Sequence, residues 1–300
     1  MKKHILLAFV SFSILNAHSQ KIEIVERTSS FSVGNVSSYV VSIPYALSKR
    51  VETSWKNWNK DRDGIVTEKD KEYLADNTLI KELGSGTTVD VFTRFENKKT
   101  EGAEMTVAFN LNGKYISTAD APDQSVIIKK LLKDFALAEA IDVHDKLVRE
   151  QLSQLEKLQK QQADLEKDNS KYVKNIGERK EDLAKAENEL ATTTEALQLK
   201  KQDVAKQKTV LDASAGAVTE QVKSSQKIYD SLLDEQKDLE KKQKNLNKDI
   251  LDAKKEIAEN EGKLKQNEID QTSKKSEISK KDEQVKGMQL KSVELKGEGE

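Results

Sequence analysis

The sequence predicts an α+β head, built as an antiparallel sheet with packed helices, followed by a long α-helical coiled coil. Three observations carry that prediction. From Ile141 onward one position in seven is apolar, through Ile141, Val148, Leu155, Gln162, Asn169, Ile176, Leu183, Leu190, Leu197, Val204, Leu211 and Val218, with polar residues only at Gln162 and Asn169. Seven residues fall slightly short of two turns of a free helix, so a seam kept in that register faces a partner helix only if both supercoil left-handedly. Before Ala121 the apolar period is two, the pattern of half-buried strands. Charged residues make up 34% of the chain and aromatic residues 5%, with two prolines, a mixture too polar for a large core and suited to long helices.

Met1 to Ser19 read as a secretory signal peptide. Lys2 and Lys3 supply the positive start, Ile5 to Leu15 the apolar stretch, and Ala17-His18-Ser19 a small-x-small cleavage site before Gln20. The apolar stretch is shorter than the ~20 residues a membrane-crossing helix needs. No later segment is apolar enough to span. The lack of cysteine excludes a disulfide, a thiolate metal site and a lipid-bearing Cys after the signal. The expectation is a soluble exported protein, periplasmic or extracellular, with no membrane span in the mature chain.

Residues 20–121 form the predicted head. Lys21 to Val25 and Ser38 to Ile43 read as strands, the second ended by Pro44. Leu47, Val51, Trp55 and Trp58 recur at spacings of three and four, the stripe of an amphipathic helix with two large aromatics to cover a sheet. Val89, Val91, Thr93 and Phe95 alternate with polar residues, as do Met105, Val107, Phe109 and Leu111, which predicts half-buried strands of an antiparallel sheet. Asn112-Gly113 tolerates positive φ and marks a hairpin, after which Lys114 to Ser117 resumes as a strand. Pro122, with Asp120 ahead of it as a cap, opens a helix through Val126, Ile127, Leu131, Phe135 and Leu137 that runs into the stalk.

Residues 122–290 are the predicted stalk, and 291–300 a frayed tail where apolar positions thin out. Asp212 to Ala217 is small and weakly apolar, contains a helix-weakening glycine and divides the stalk into similar halves, which suits the bend of an antiparallel hairpin. The clock nevertheless keeps time across it, since Leu232, Leu239 and Leu246 continue the phase of Leu211 and Val218 with Ser225 as a gap. A single rod and a hairpin both fit; the hairpin is favoured because equal halves let one chain bury its own seam. Near Leu246 the phase slips by four, to Ile250, Ile257, Leu264, Ile278 and Val285, which reads as a stutter. The second seam position begins as Leu158, Leu165 and Tyr172 but continues as Arg179, Thr193, Lys200 and Gln207, predicting modest stability and exchange of partners. Asn169 either fixes the register of a parallel dimer or marks a loose, wet layer.

One loop has metal-binding spacing. On the twelve-residue EF-hand frame, Asn59, Asp61 and Asp63 supply oxygens at positions one, three and five, and Gly64 takes the sharp turn. Ile65 offers its carbonyl, Thr67 acts directly or through water, and Asp70 closes the frame. The frame departs from the pattern in its Asn at position one, its Asp in place of Glu at position twelve and its single copy. A charged, glycine-containing connection between a helix and the next element reads the same way.

The stretches Thr87-Thr88-Val89-Asp90-Val91, Val107 to Tyr115 and Leu132-Lys133-Asp134-Phe135-Ala136, followed by a Lys/Glu/Leu-rich helix, resemble a family of exported bacterial proteins of uncharacterised function with a small α+β head and a coiled-coil tail. The resemblance covers the head and the start of the stalk, and the segment after Val218 extends beyond it. It implies no catalytic residue, and it implies a variable loop at 59–70.

Chemistry-bearing residues are sparse. His4 and His18 precede the cleavage site, so His144, beside Asp145, is the only imidazole of the mature chain, and base rates for polar helix positions place it in solvent. No glycine-rich phosphate loop, nucleophile elbow or His-Glu zinc pattern occurs. The net charge is −1 with signs interspersed, which leaves no basic stripe for nucleic acid. The expectation is a non-catalytic exported coiled-coil scaffold, spacer or protein-binding protein of the cell envelope, without a cofactor, that self-associates through its stalk and docks an envelope partner. The alternatives are a calcium-responsive binding module using the 59–70 loop, and a coiled-coil envelope chaperone or regulator of a cell-wall enzyme.

Overall fold

The computed structural model describes residues 21–98, 102–214 and 219–298. Residues 1–19, read as the signal, and 215–217 of the expected bend lie outside the described residues. The chain divides into two compact units, one formed by Met1–Ser153 with Glu283–Glu300 and one by Gln154–Asp282. The elements are β1 (Ile24–Phe31), β2 (Gly34–Ile43), α1 (Ser48–Lys60), β3 (Ile65–Lys69), β4 (Glu72–Leu79), β5 (Thr88–Lys98), β6 (Gly102–Leu111), β7 (Lys114–Tyr115), α2 (Pro122–Ala213) and α3 (Thr219–Gly297). An antiparallel-sheet head followed by long helices is the predicted fold class.

The head sheet runs in the order β1-β2-β6-β5-β4-β3, antiparallel throughout, with β7 added to β6. Alternation along each strand sends one set of side chains under the helices. Tyr39, Val41, Ile43, Val91, Met105 and Val107 are fully buried there, against Val51 and Trp55 of α1 and Ile128, Leu132 and Ala136 of α2. Trp55 is the centre of this core. It stacks on Trp58 at 4.6 Å, meets Phe135 edge-on at 4.8 Å and donates its indole N–H to Thr93 Oγ1 at 2.9 Å.

β3 and β4 escaped the sequence reading. Their connection is a two-residue turn with Asp70 and Lys71 both at positive φ, a primed hairpin made without the usual glycine. β4 loses its alternation at a register shift between Ala75 and Thr78, where Asn77 also has positive φ. Leu47, counted in the α1 stripe, is 70% exposed just before the helix. Asn97 of β5 serves the helix start from outside, its Oδ1 accepting the Ser48 N–H at 2.7 Å. Asp120, expected to cap α2, instead accepts a hydrogen bond from Ser117 Oγ at 2.7 Å.

Edge strand β1 is tied to α2 through Glu26, whose carboxylate accepts the Thr118 N–H at 2.8 Å, the Thr118 hydroxyl, and Lys129 at 3.2 Å. Burial pushes this carboxyl up, but the Thr118 bonds and Lys129 outweigh it and hold Glu26 below its ordinary range. The end of α3 belongs to the same unit. The expectation that residues 291–300 fray differs from the structure over the described residues 291–298: helix continues to Gly297, Leu295 is 1% exposed, and Lys296 pairs with Asp145 of α2 at 2.9 Å. Seam positions kept on α3 to Leu295 give this segment apolar surface to bury, which outweighs its local polarity.

In the second unit the two helices pair antiparallel, joined by Arg179–Glu256 at 2.7 Å, Lys254–Glu187 at 2.8 Å and Lys200–Glu235 at 2.6 Å. These pairs are half-exposed and contribute about 0–1 kcal/mol each, so they select alignment more than they add stability. Between them, Leu155, Ile176 and Leu197 of α2 and Leu246, Ile250 and Ile257 of α3 are buried. The inward positions of α3, Leu239, Gln243, Leu246, Ile250, Ala253, Ile257, Asn260, Leu264 and Asn267, advance by three and four in unbroken alternation. The expected stutter at Leu246 is therefore absent: the apolar residues change from one seam position to the other while the register holds. The polar layer falls not at Asn169 alone but at Gln162, Asn267 and Gln271. Asn267 Nδ2 donates to the Leu165 carbonyl at 3.1 Å, and Gln271 Nε2 donates to Asn267 Oδ1 at 2.7 Å.

Trp55→Ala should lower the stability of the head by about 3–5 kcal/mol, read from the denaturant midpoint. Thr93→Val, which strands the indole N–H, should cost about 1–3 kcal/mol. Glu26 is held below its unfolded value, so its contribution is complete above the unfolded pKa and is lost as pH falls through the folded one. Glu26→Gln should accordingly flatten the acid limb of the stability–pH curve, and an unchanged limb would rule out this role.

Candidate functional site

The six residues with EF-hand spacing are not brought together. Gly64 N–H donates to the Asn59 carbonyl and Asp63 N–H to the Lys60 carbonyl, both at 3.0 Å, with Asp63 at φ +64°. This pair of bonds is the Schellman stop of α1, and the Asp-Arg-Asp-Gly run is its helix cap. A Cβ on Gly64 would lie 2.5 Å from Thr78 Oγ1 and 2.9 Å from the Asn59 carbonyl, so glycine is required by close approach. Asn59 is 1% exposed; its amide donates to the Trp55 carbonyl at 2.8 Å and its Oδ1 accepts the Thr78 hydroxyl at 3.2 Å.

Ile65 and Thr67 then leave along β3, and Asp70 turns the hairpin, roughly 16 Å of extended chain beyond Ile65. Asp61 and Asp63 stay at the helix end. Arg62 beside them lies 3.7 Å over the Trp58 ring and donates to the Trp58 carbonyl at 3.2 Å. The residues of the calcium expectation, Asn59, Asp61, Asp63, Ile65, Thr67 and Asp70, thus lie along a helix end, a strand and a hairpin turn. Among the described residues no group of three or more His, Asp or Glu side chains is placed to hold a metal ion.

The second face of the sheet carries a smaller cluster. Phe31, Phe92 and Ala108 are buried, with Val36, Leu74 and Tyr115 half-buried around them. Phe31 meets Phe92 at 6.3 Å, and Phe92 meets Tyr115 at 6.2 Å. Over this cluster the β1–β2 turn reaches β4: the Glu72 carboxylate accepts the Ser32 N–H at 2.9 Å, the Ser32 hydroxyl, and Arg94 at 2.8 Å. Glu72 is 5% exposed, so these partners offset the loss of its hydration. Nearby, a hydrogen bond with Asp90, together with burial and the Asp90 charge, raises the Asp76 carboxyl, and burial with the charges of Asp90 and Glu72 raises the Tyr115 phenol. Under α1, burial and hydrogen bonds to Glu52 and Glu68 push Tyr73 up to about 12, so it stays protonated.

His144 is corrected from a solvated residue to a buried one, 4% exposed. Its Nε2 lies 2.9 Å from the Met288 carbonyl of α3, and Tyr45 of the β2–α1 connection packs on the ring at 4.9 Å. Tyr45 reaches it from a backbone at φ +65°. His144 occupies an inward position of α2, three residues after Ile141, so the heptad frame itself could have signalled its burial. Among the described residues its Nδ1 has no hydrogen-bond partner. One cleft, of about 210 Å³, is lined by Arg179, Asp182, Asp249 and Glu256; another, of about 270 Å³, by Asp61, Arg62, Lys81 and Glu82. Both fall below the ~300–1,000 Å³ of small-molecule sites.

No protein-family model matches the chain. No curated protein matches it. Among solved structures it is similar to the Smc head domain with a coiled coil and joint derived from Pyrococcus yayanosii, at 14% identity over 91% of this chain and 70% of that one, with a TM-score of 0.26. That score is too low for the likeness to carry an argument.

Calcium at about millimolar concentration, the range of weak extracellular sites, should leave the Trp55/Trp58 fluorescence unchanged. A saturable change that Asp63→Ala removes would restore the metal reading.

Proposed function

We propose that this chain is a non-catalytic exported scaffold or spacer of the cell envelope, whose head binds another protein and whose helices set a distance or join copies. The observation that carries this reading is the helix pair of the second unit. Its two arms bury their seam residues on each other and present charge outward, a surface suited to separation and self-association. The head supports it in a second way, because the polar groups that drew attention in the sequence serve structural contacts: Asn59 closes a helix end, and His144 packs between Tyr45 and α3. Export rests on Met1 to Ser19 alone.

Two other readings have less support. A calcium-responsive module needs the 59–70 residues assembled, and they lie along a cap and a strand. A chaperone or enzyme regulator that grips clients between its arms needs those arms apart, whereas cross-helix pairs and buried leucines join them.

Mass spectrometry of the protein recovered from the cell exterior or periplasm should find Gln20 as its first residue; a cytoplasmic chain with its leader intact would defeat the export part. The spacer part is tested by removing the facing heptads 183–189 and 246–252, which preserves pairing and shortens the arms by about 10 Å. A strain lacking the gene should not be rescued by this folded, shortened chain, and full rescue would defeat the spacer part.

A further inference from the structure

The two edges of the head sheet are not alike. The β1–β2 register, with Ile24 opposite Val41, places Glu23 opposite Ser42, and the Ser42 N–H donates to the Glu23 carbonyl at 2.9 Å. Hydrogen-bonded pairs alternate with non-bonded ones along an antiparallel ladder, so Glu23, Val25, Arg27, Ser29 and Phe31 turn their N–H and C=O groups to β2. Those of Ile22, Ile24, Glu26, Thr28 and Ser30 point away from the sheet. Among the described residues β1 has no strand on that side, and its register with β2 runs unshifted from Ile24 to Phe31. Neither proline nor a bulge, the usual guards of such an edge, interrupts it. At the opposite edge the two-residue turn makes Lys69–Glu72 a hydrogen-bonded pair, which leaves only Val66 and Glu68 of β3 facing outward. Glu68 is already engaged there by Lys56 of α1 at 3.5 Å.

An edge strand can add a second copy of itself antiparallel about a two-fold axis perpendicular to the sheet, so that residues on the same face meet. The registers that keep most of β1 paired are centred on Ile24, Val25, Glu26, Arg27, Thr28 or Ser29. Centring on Ile24 sets Lys21 against Arg27 of the second copy, and centring on Glu26 or Arg27 sets a charge against its own counterpart. Centring on Thr28 or Ser29 brings no opposite charges together. Centring on Val25 alone does so: Glu23 lies opposite Arg27 of the second copy, Arg27 opposite its Glu23, and Val25 meets itself. Val25 is 45% exposed and so gains cover, and Arg27, exposed and only 3.6 Å from Glu104, gains a second carboxylate. The outward groups of Ile22 and Ile24 then face those of Thr28 and Glu26 of the second copy, which satisfies both edges.

From these observations we infer that β1 is an interface between two copies of this chain, joined edge to edge in the register centred on Val25 into one continuous sheet. The residues that meet all lie between Lys21 and Ser29. This gives the reading of the head as a protein-binding module an edge and a partner, and it rests on that reading; a spacer function of the helices stands without it.

The chain contains no cysteine, so single cysteines report without background. In the full chain Val25→Cys brings two thiols to a non-hydrogen-bonded pair, where Cα atoms lie about 4.5 Å apart and a disulfide can close. Oxidation should convert this variant largely to a covalent dimer. Arg27→Cys and Ser30→Cys, whose copies lie roughly 13 Å or more apart, should not cross-link. Light scattering should show a concentration-dependent dimer whose association constant falls roughly tenfold or more in Glu23→Lys and in Arg27→Glu, and recovers when the two substitutions are combined. That recovery separates the interface from any local loss of fold, since the combined variant carries both local changes. Absence of cross-linking at Val25→Cys, equal cross-linking at all three positions, or a dimer indifferent to the charge reversals would overturn the β1 interface. A dimer of that last kind leaves association through the helices in place, so the two readings fail separately.

Discussion

The structure depends on a simple constraint: a very long polar helix is stable in water only if an apolar stripe along it is covered. Helix α2 has 92 residues, and its intrinsic preference alone cannot hold that length against fraying and exchange with solvent. Its stripe is covered in two ways. From Ile128 to Ala136 it packs beneath the head sheet, beside Trp55. In the second unit it meets α3, through Leu155, Ile176 and Leu197. The same constraint explains the end of α3, where Leu295 is buried among residues that look, by composition, like a tail.

Acidic and glycine residues near Asp63 show how one composition serves two structures. An EF-hand loop and a Schellman helix stop both need a residue tolerant of positive φ, a glycine and short oxygen-bearing side chains. The segment after Gly64 decides between them. Ile65–Lys69 joins β4 as a strand, which carries Thr67 and Asp70 away from Asn59, while Thr78 on β4 takes the Asn59 oxygen. The backbone hydrogen bonds of a strand pair hold five residues extended, and an extended segment cannot curl around an ion.

In the second unit polarity sits inside the seam as well as on its surface. Gln162, Asn267 and Gln271 occupy inward positions, with Gln162 Nε2 donating to Glu166 at 2.8 Å and Asn267 reaching the Leu165 carbonyl. Such a layer lowers stability relative to leucine but penalises shifted alignments, which would leave its amides without partners. Ion pairs on both flanks act in the same direction. The arms are thus specified in register more strongly than they are stabilised, a balance that permits local opening where burial is shallowest.

The fold class was legible from periodicity alone: a period of seven requires a helical partner, and a period of two with Asn112-Gly113 requires an antiparallel sheet. Strands β5 and β6 and the helix through Trp55 were readable because their apolar residues repeat in one-dimensional patterns. What the sequence withheld were features set by contacts distant along the chain. The hairpin β3–β4 turns on Asp70 and Lys71 without a glycine signal. His144 is buried because Met288 and Tyr45 meet it, from residues far away in the chain. Rod and hairpin share one heptad count, so only tertiary pairing, Arg179 to Glu256 and Lys200 to Glu235, distinguishes them here. Periodicity reports which face of a helix must be covered, and the identity of what covers it is a property of the assembled structure.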